Sequence, residues 1–277
     1  MVLAADRLEF VERKPPLVFD EIDFTVVNPE RLATRLADPL EYAQRVEHLV
    51  GVTQMETLMP RRSDEVERFL VQWTDDELGH ARALGHLMEL VGLQPVPLDG
   101  VVPPSQNAKI GALGRASKRL HEVIEVIWAT SGAMNEHLAM TAYHRIDAIL
   151  QADGEQALHE TLFRRLRAHE SAHKSFYATY AAARWATLRG WQRRLARATL
   201  RRTWAPVGAT EAVDRPAFAR TVVALSADDW RETLVDPLQS IAERIMGAAG
   251  EVGPIVERAV VLTLESDPAG EELLQRL

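Results

Sequence analysis

Trp73-Thr74-Asp75-Asp76-Glu77-Leu78-Gly79-His80 sits in the middle of a run whose nonpolar residues keep helical spacing. Val66, Leu70, Trp73, Glu77, His80, Leu84, Leu87 and Val91 step alternately by four and three, the pattern of a seam buried between helices. A carboxylate and an imidazole therefore occupy consecutive core positions. The device recurs at His169-Glu170-Ser171-Ala172-His173-Lys174-Ser175-Phe176-Tyr177, within the seam Phe163, Leu166, Glu170, His173, Tyr177 and Tyr180. Residues i and i+3 share a helix face, so each Glu-x-x-His aims its two polar groups the same way. A lone glutamate precedes each copy: Glu47 lies 30 residues before Glu77, and Glu136 lies 34 before Glu170. One Glu-x-x-His is common on a solvated face; two copies, each in an apolar seam with a matching upstream glutamate, are not. A bundle with buried Glu–His hydrogen bonds and no metal would leave four carboxylates repelling one another in a dry core. Four carboxylates and two imidazoles converging between helices make a site for two iron or manganese ions.

The punctuation around these seams predicts an all-α chain built on a four-helix bundle. Residues 1–37, with Pro15, Pro16 and Pro29, read as an extended strap. Asp38 and Pro39 suit the cap and first position of a helix running to about Met59, where Pro60 breaks it. Ser63 caps a second helix, roughly 64–91, that ends at Gly92. A Pro/Gly-rich link leads to a third helix over about 115–151, a turn at Ala152-Asp153-Gly154, and a fourth over about 155–188. The bundle thus spans 38–189. Residues 190–277 read as further helices packed on it, with breaks at Pro206-Val207-Gly208, near Pro216, and from Gly250 to Pro254. The turns test the glutamate pairing. Glu47 and Glu77 lie about equally far from residues 61–62, some ~22 Å down antiparallel helices at ~1.5 Å per residue. Glu136 and Glu170 are each 17 residues from Asp153. Of the other acids on the first helix, Glu56 lies too near the turn and Glu41 too far.

Composition narrows the function classes. A formal charge of −8 and a pI near 5.6 argue against a general nucleic-acid binder. The absence of cysteine excludes thiolate catalysis and cysteine-ligated clusters. The first residues mix acid and base with no apolar core, unlike a signal peptide, and no stretch approaches the ~18 apolar residues of a membrane span. The expectation is a soluble cytoplasmic protein.

These residues resemble the ferritin-like di-iron carboxylate superfamily, over about 38–188. The nearest local likeness is to acyl-carrier-protein desaturases: Trp73 to His80 looks like their Trp-Thr-x-Glu-Glu-x-x-His segment, and His169 to Tyr177 like their Asp-Glu-x-x-His-Glu-x-x-Tyr segment. The ligand set the resemblance implies is Glu47, Glu77, His80, Glu136, Glu170 and His173. It also implies two iron ions, with manganese an option at either site, O2 as co-substrate, an external electron donor, and a homodimer. The activity expected is oxidation of a hydrophobic or carrier-bound acyl or amine substrate by desaturation, hydroxylation or N-oxygenation. The alternative is iron binding or ferroxidase action with no organic substrate. Two departures stand out. His169 replaces the aspartate those desaturases place before the second Glu-x-x-His, and Ala139 replaces a threonine after the third-helix glutamate.

Other residues are weighed against blander roles. Tyr177, seven residues after Glu170 and one turn beyond His173, is a candidate catalytic phenol or a core tyrosine, and Tyr143 likewise lies seven residues after Glu136. Trp73 reads as a core aromatic. Glu122 and Glu125 read as surface charges or a channel mouth, and His48, His86, His121, His144 and His159 as ordinary residues. The stretch Arg184 to Arg202 reads as a solvated amphipathic helix, or as a docking face for an acidic partner such as an acyl carrier protein through Arg193 and Arg197.

Overall fold

The computed structural model describes residues 15–52, 62–97, 107–210, 212, 214–226, 229–247 and 252–276, and among them all regular structure is helical. Helix α1 (Pro29–Val52) starts a full ten residues before Pro39. The same Asx-Pro signal is simply used earlier: Asn28 Oδ1 accepts from Arg31 N at 3.1 Å and Pro29 takes the first helical position. Pro39 is left inside the helix, where it forfeits one hydrogen bond and crowds the preceding turn. Leu32, Leu36 and Leu40, stacked at i+4 and at most 1% exposed, offset that cost by burial. The strap expected over 1–37 therefore ends, among the described residues, at Asn28. The break expected near Met59 and Pro60 lies outside them.

Helix α2 (Asp64–Leu90) begins as expected, with Ser63 Oγ accepting from Val66 N at 3.3 Å, and stops before Gly92 at φ 81°. The stretch expected as one helix from about 115 is split. Ser117 takes extended backbone and caps Leu120 N at 3.4 Å, separating α3 (Asn107–Ala116) from α4 (Lys118–Ala152). A turn at Gly154 (φ 81°) leads through a short helical turn and a π-helical turn (His159–Phe163) into α5 (Arg164–Thr187). Then follow α6 (Gly190–Thr203), α7 (Arg215–Ser226), α8 (Asp236–Met246), α9 (Val256–Leu264) and α10 (Pro268–Gln275).

Contacts fix the directions of the long helices. Between α4 and α5 they step oppositely along the chain: Asp147 meets His159, Tyr143 meets Phe163, Gly132 meets Tyr177, and Glu125 meets Tyr180. The α1–α2 pair is antiparallel too, with Gln44 near Gly85 and Glu47 near His80. The strap runs back along α5. Val27 N and Asn28 N donate to the two oxygens of the fully buried Glu155 at 2.8 and 2.9 Å, Asp23 N donates to Thr161 Oγ1, and Pro15 O meets His169. The later helices pack on this frame: Arg220 bonds Asp38 of α1 at 2.8 Å, Gln192 of α6 bonds Arg119 O of α4 at 2.9 Å, and Arg197 bonds Met246 O. No described helix is long and apolar enough to cross a membrane.

Candidate metal centre

All six sequence-derived ligands meet in the core, between α1, α2, α4 and α5. Glu47, Glu77, His80 and Glu170 form one group and Glu77, Glu136, Glu170 and His173 another; within each, one ligand atom per residue lies within 4.8 Å of the rest. Glu77 and Glu170 belong to both. Every member is buried, His80, Glu170 and His173 with no exposed surface at all. Glu41 is on the solvent side of α1, paired with Arg45 at 2.9 Å.

The tautomers of both histidines follow from their outward partners. Pro15 offers only a carbonyl, so His169 Nε2, 3.0 Å away, must donate to it. His169 Nδ1 is then an acceptor for the His80 Nε2 proton, also at 3.0 Å. That leaves a lone pair on His80 Nδ1, which faces Glu170 Oε1 at 3.1 Å and Glu47 Oε2 at 3.5 Å. On the other side Asp76 Oδ2 accepts from His173 Nε2 at 2.9 Å, and His173 Nδ1 faces Glu77 Oε1 at 3.2 Å and Glu136 Oε2 at 3.8 Å. The residue before each Glu-x-x-His thus holds the histidine of the other copy.

The inward atoms have nothing to bond. Glu47 Oε2, Glu77 Oε1, both oxygens of Glu170, His80 Nδ1 and His173 Nδ1 are buried without a hydrogen-bond partner. Six electron-pair donors gathered in the core without partners suit a pair of cations. Without metal the centre must hold protons. Burial first, then the nearby carboxylates, push Glu77 and Glu170 well above the ordinary carboxylate range. Burial would also raise Glu47, but the neighbouring Glu77 and His80 and the Tyr143 hydroxyl bring it down to about 2. His173 is raised against the pull of burial by its bond to Asp76 and by the nearby Glu136.

The flanking aromatics are partly bonded. Tyr143 O–H donates to Glu47, and Trp73 Nε1 donates to Glu136 Oε1 at 3.0 Å. Tyr177 has no such bond to a carboxylate. Its ring lies against Gly132, where an added Cβ would approach within 2.6 Å, and burial keeps its phenol protonated. Glu125, expected at the surface or a channel mouth, is buried instead, accepting from Tyr180 at 2.9 Å and paired with Arg184. Arg193 and Arg197 lie over the Trp185 ring at 5.6 and 5.1 Å, so the docking role considered for them meets side chains already engaged.

A cavity of about 580 Å³ opens on the centre, touching Glu47, Glu77, Glu136 and Glu170. Its walls are mainly apolar, from Val123, Ile124, Ile127 and Trp128 of α4 outward to Leu113 and Leu195, both exposed. Tyr177 and Ala139 also line it.

Sequence reading missed the roles of Asp76 and His169. The signal available was their shared position, one residue before each repeated motif. No family model matches the chain, and no curated protein or solved structure does either.

Proposed function

We propose that the chain is an O2-dependent dimetal oxidase or oxygenase of ferritin-like build, using two iron ions, or manganese in one or both places, on a hydrophobic organic substrate. The observation that carries this reading is the set of six orphaned inward donors with an apolar cavity against them. His80 and Glu47 would hold one ion, His173 and Glu136 the other, and Glu77 and Glu170 would serve both. Bound and reduced, such a pair supplies two electrons to O2. The protein's own part is legible in its residues. The cavity wall orients an apolar molecule beside the carboxylates and excludes water, Tyr143 holds Glu47 in place, and Trp73 holds Glu136. An apolar route of this size supports an organic substrate over iron storage, for which an acidic path to the ions would be expected.

The test is anaerobic Fe(II) loading followed by an O2 pulse, with iron content and Mössbauer spectra recorded before and after. Two ferrous ions per chain, oxidised together, are expected. A chain that binds no Fe(II), or binds it only at exposed carboxylates, would overturn the reading.

A further inference from the structure

The outer wall of the cavity is built from two basic segments. In a protein of net charge −8, residues 107–121 hold Lys109, Arg115, Lys118 and Arg119 and no acid, and residues 189–203 hold six arginines and no acid. These two segments supply the outer wall of the cavity, through Ile110, Leu113 and Leu120 on one side and Leu195, Thr199 and Thr203 on the other. On a helix, Lys109, Arg119 and Arg202 flank those lining faces, each next in sequence to a lining residue. All three are exposed, and none makes an ion pair among the described residues. Gln192 clamps the two sides together, bonding Arg119 O and Glu122 Oε2 at 2.9 Å each.

We propose that the cavity binds a small amphiphile, its apolar chain along Ile124 and Trp128 and its anionic group at the rim among Lys109, Arg119 and Arg202. The proposal deepens the oxidase reading by naming the substrate class, and its chemistry rests on that reading. Three observations converge on this occupant. The volume falls in the ~300–1,000 Å³ range of small-molecule sites. The wall is apolar, so burying a hydrocarbon against it is favourable. The two ends differ: no basic residue lines the cavity itself, while the exposed Lys109, Arg119 and Arg202 stand beside its outer wall, so an anionic head is favoured outside and the molecule enters tail first. The cations at the rim set orientation and select for the head group, and the tail supplies most of the affinity.

Calorimetry on the full chain with three twelve-carbon probes tests it: dodecanoate, 1-dodecanol and dodecyltrimethylammonium, each below its aggregation threshold. Dodecanoate should bind once per chain, about tenfold more tightly than the alcohol (~1.4 kcal/mol), with an advantage that shrinks in high salt. The cationic probe should bind least. The double variant Lys109→Glu, Arg202→Glu should erase the carboxylate's advantage and leave the alcohol's affinity as it was. Ile124→Trp should weaken all three probes, and Ser131→Phe fills the same wall should that variant fail to fold. Equal binding of the probes, no binding, or a carboxylate preference that survives the double reversal would overturn the proposal. So would dodecanoate binding indifferent to both wall variants. Metal content measured on the same samples separates this from the oxidase reading: two ions per chain without carboxylate preference sinks the amphiphile alone. Carboxylate preference in a chain that takes no metal sinks the oxidase alone.

Discussion

Glu170→Gln should make the metal-free chain more stable and the metal-treated chain less so. Glu170 is fully buried, both of its oxygens lack a partner, and Glu136, Glu47 and Asp76 crowd it electrostatically. A neutral isostere removes that repulsion, and its amide can donate to a facing carboxylate. In the metal-free parent Glu170 must take up a proton or stay charged against that repulsion, and removing this cost is worth ~1–3 kcal/mol. At roughly 2 °C per kcal/mol for a chain of this size, the metal-free variant should melt ~2–6 °C above the metal-free parent. The parent should respond strongly to metal. At a free ion concentration a hundred times Kd, each site adds ~2.7 kcal/mol, so two sites raise its midpoint by ~10 °C. Glu170 belongs to both ligand groups, so the variant should lose nearly all of that response. The assay is thermal melting by circular dichroism, with chelator and with anaerobic Fe(II) or Mn(II), beside elemental analysis of the desalted protein. A variant that melts lower than the parent in chelator, or that keeps a two-ion response, would refute the account of six donors gathered around cations.

Asp76→Asn should weaken the ion held by His173 about 10- to 100-fold and the one beside His80 less, because His173 bonds that carboxylate at 2.9 Å while His169, which holds His80, lies 3.6 Å from it; a two-step Co(II) titration followed by absorbance reads this. Acidity acts on the metal-free chain in a defined direction. Glu77 and Glu170 have folded-state values above their unfolded ones, so the folded chain binds more protons, and its stability falls as pH rises above the ordinary carboxylate range. Glu47, down at about 2, titrates outside that window. Melting in chelator across that window should show the decline, and metal uptake near pH 6 should release protons, measurable by calorimetry in buffers of different ionisation heat. Gly132→Ala should cost ~1–3 kcal/mol, since its Cβ would press within 2.6 Å of the Tyr177 ring; an unchanged urea midpoint would show the ring can retreat freely. Glu155→Gln should release the strap, because Val27 N and Asn28 N share that one buried carboxylate; faster proteolysis N-terminal to Asn28 is the expected readout.

The core helices and their inward carboxylates were readable because two constraints coincide in one pattern. A residue on a buried seam must be apolar or have a partner, so Glu77 and Glu170 announce themselves by breaking the apolar rule at its own period. Caps of the same kind, Ser63 and Gly92, were equally plain. The start of α1 was not, since Asn28-Pro29 and Asp38-Pro39 carry the same local signal and only the burial of Leu32 and Leu36 decides between them. Ser117 looked like any helix serine until its backbone was seen to be extended. Glu125 reads as solvated in the sequence because its partners, Tyr180 and Arg184, lie more than fifty residues away. Long-range pairing of that sort leaves no periodic trace.

The two hairpins carry the same parts in the same order, and the place where they differ is informative. Helices α1 and α2 contribute Glu47, Asp76, Glu77 and His80; helices α4 and α5 contribute Glu136, His169, Glu170 and His173. Each copy props the histidine of the other, through Asp76 in one direction and His169 in the other. An anionic partner makes an imidazole a stronger donor than a neutral one does, so two ions bound on the proposed reading would face ligands of unequal strength. The weaker side is also the one tied to the strap, since His169 is held by Pro15 O. Anything that lifts residues 15–28 off α5 would loosen His169, then His80, and with it one ion rather than both. On the proposed dimetal reading, one ion would be held firmly and one conditionally, the result of a mirror-like frame in which a single carboxylate is exchanged for an imidazole.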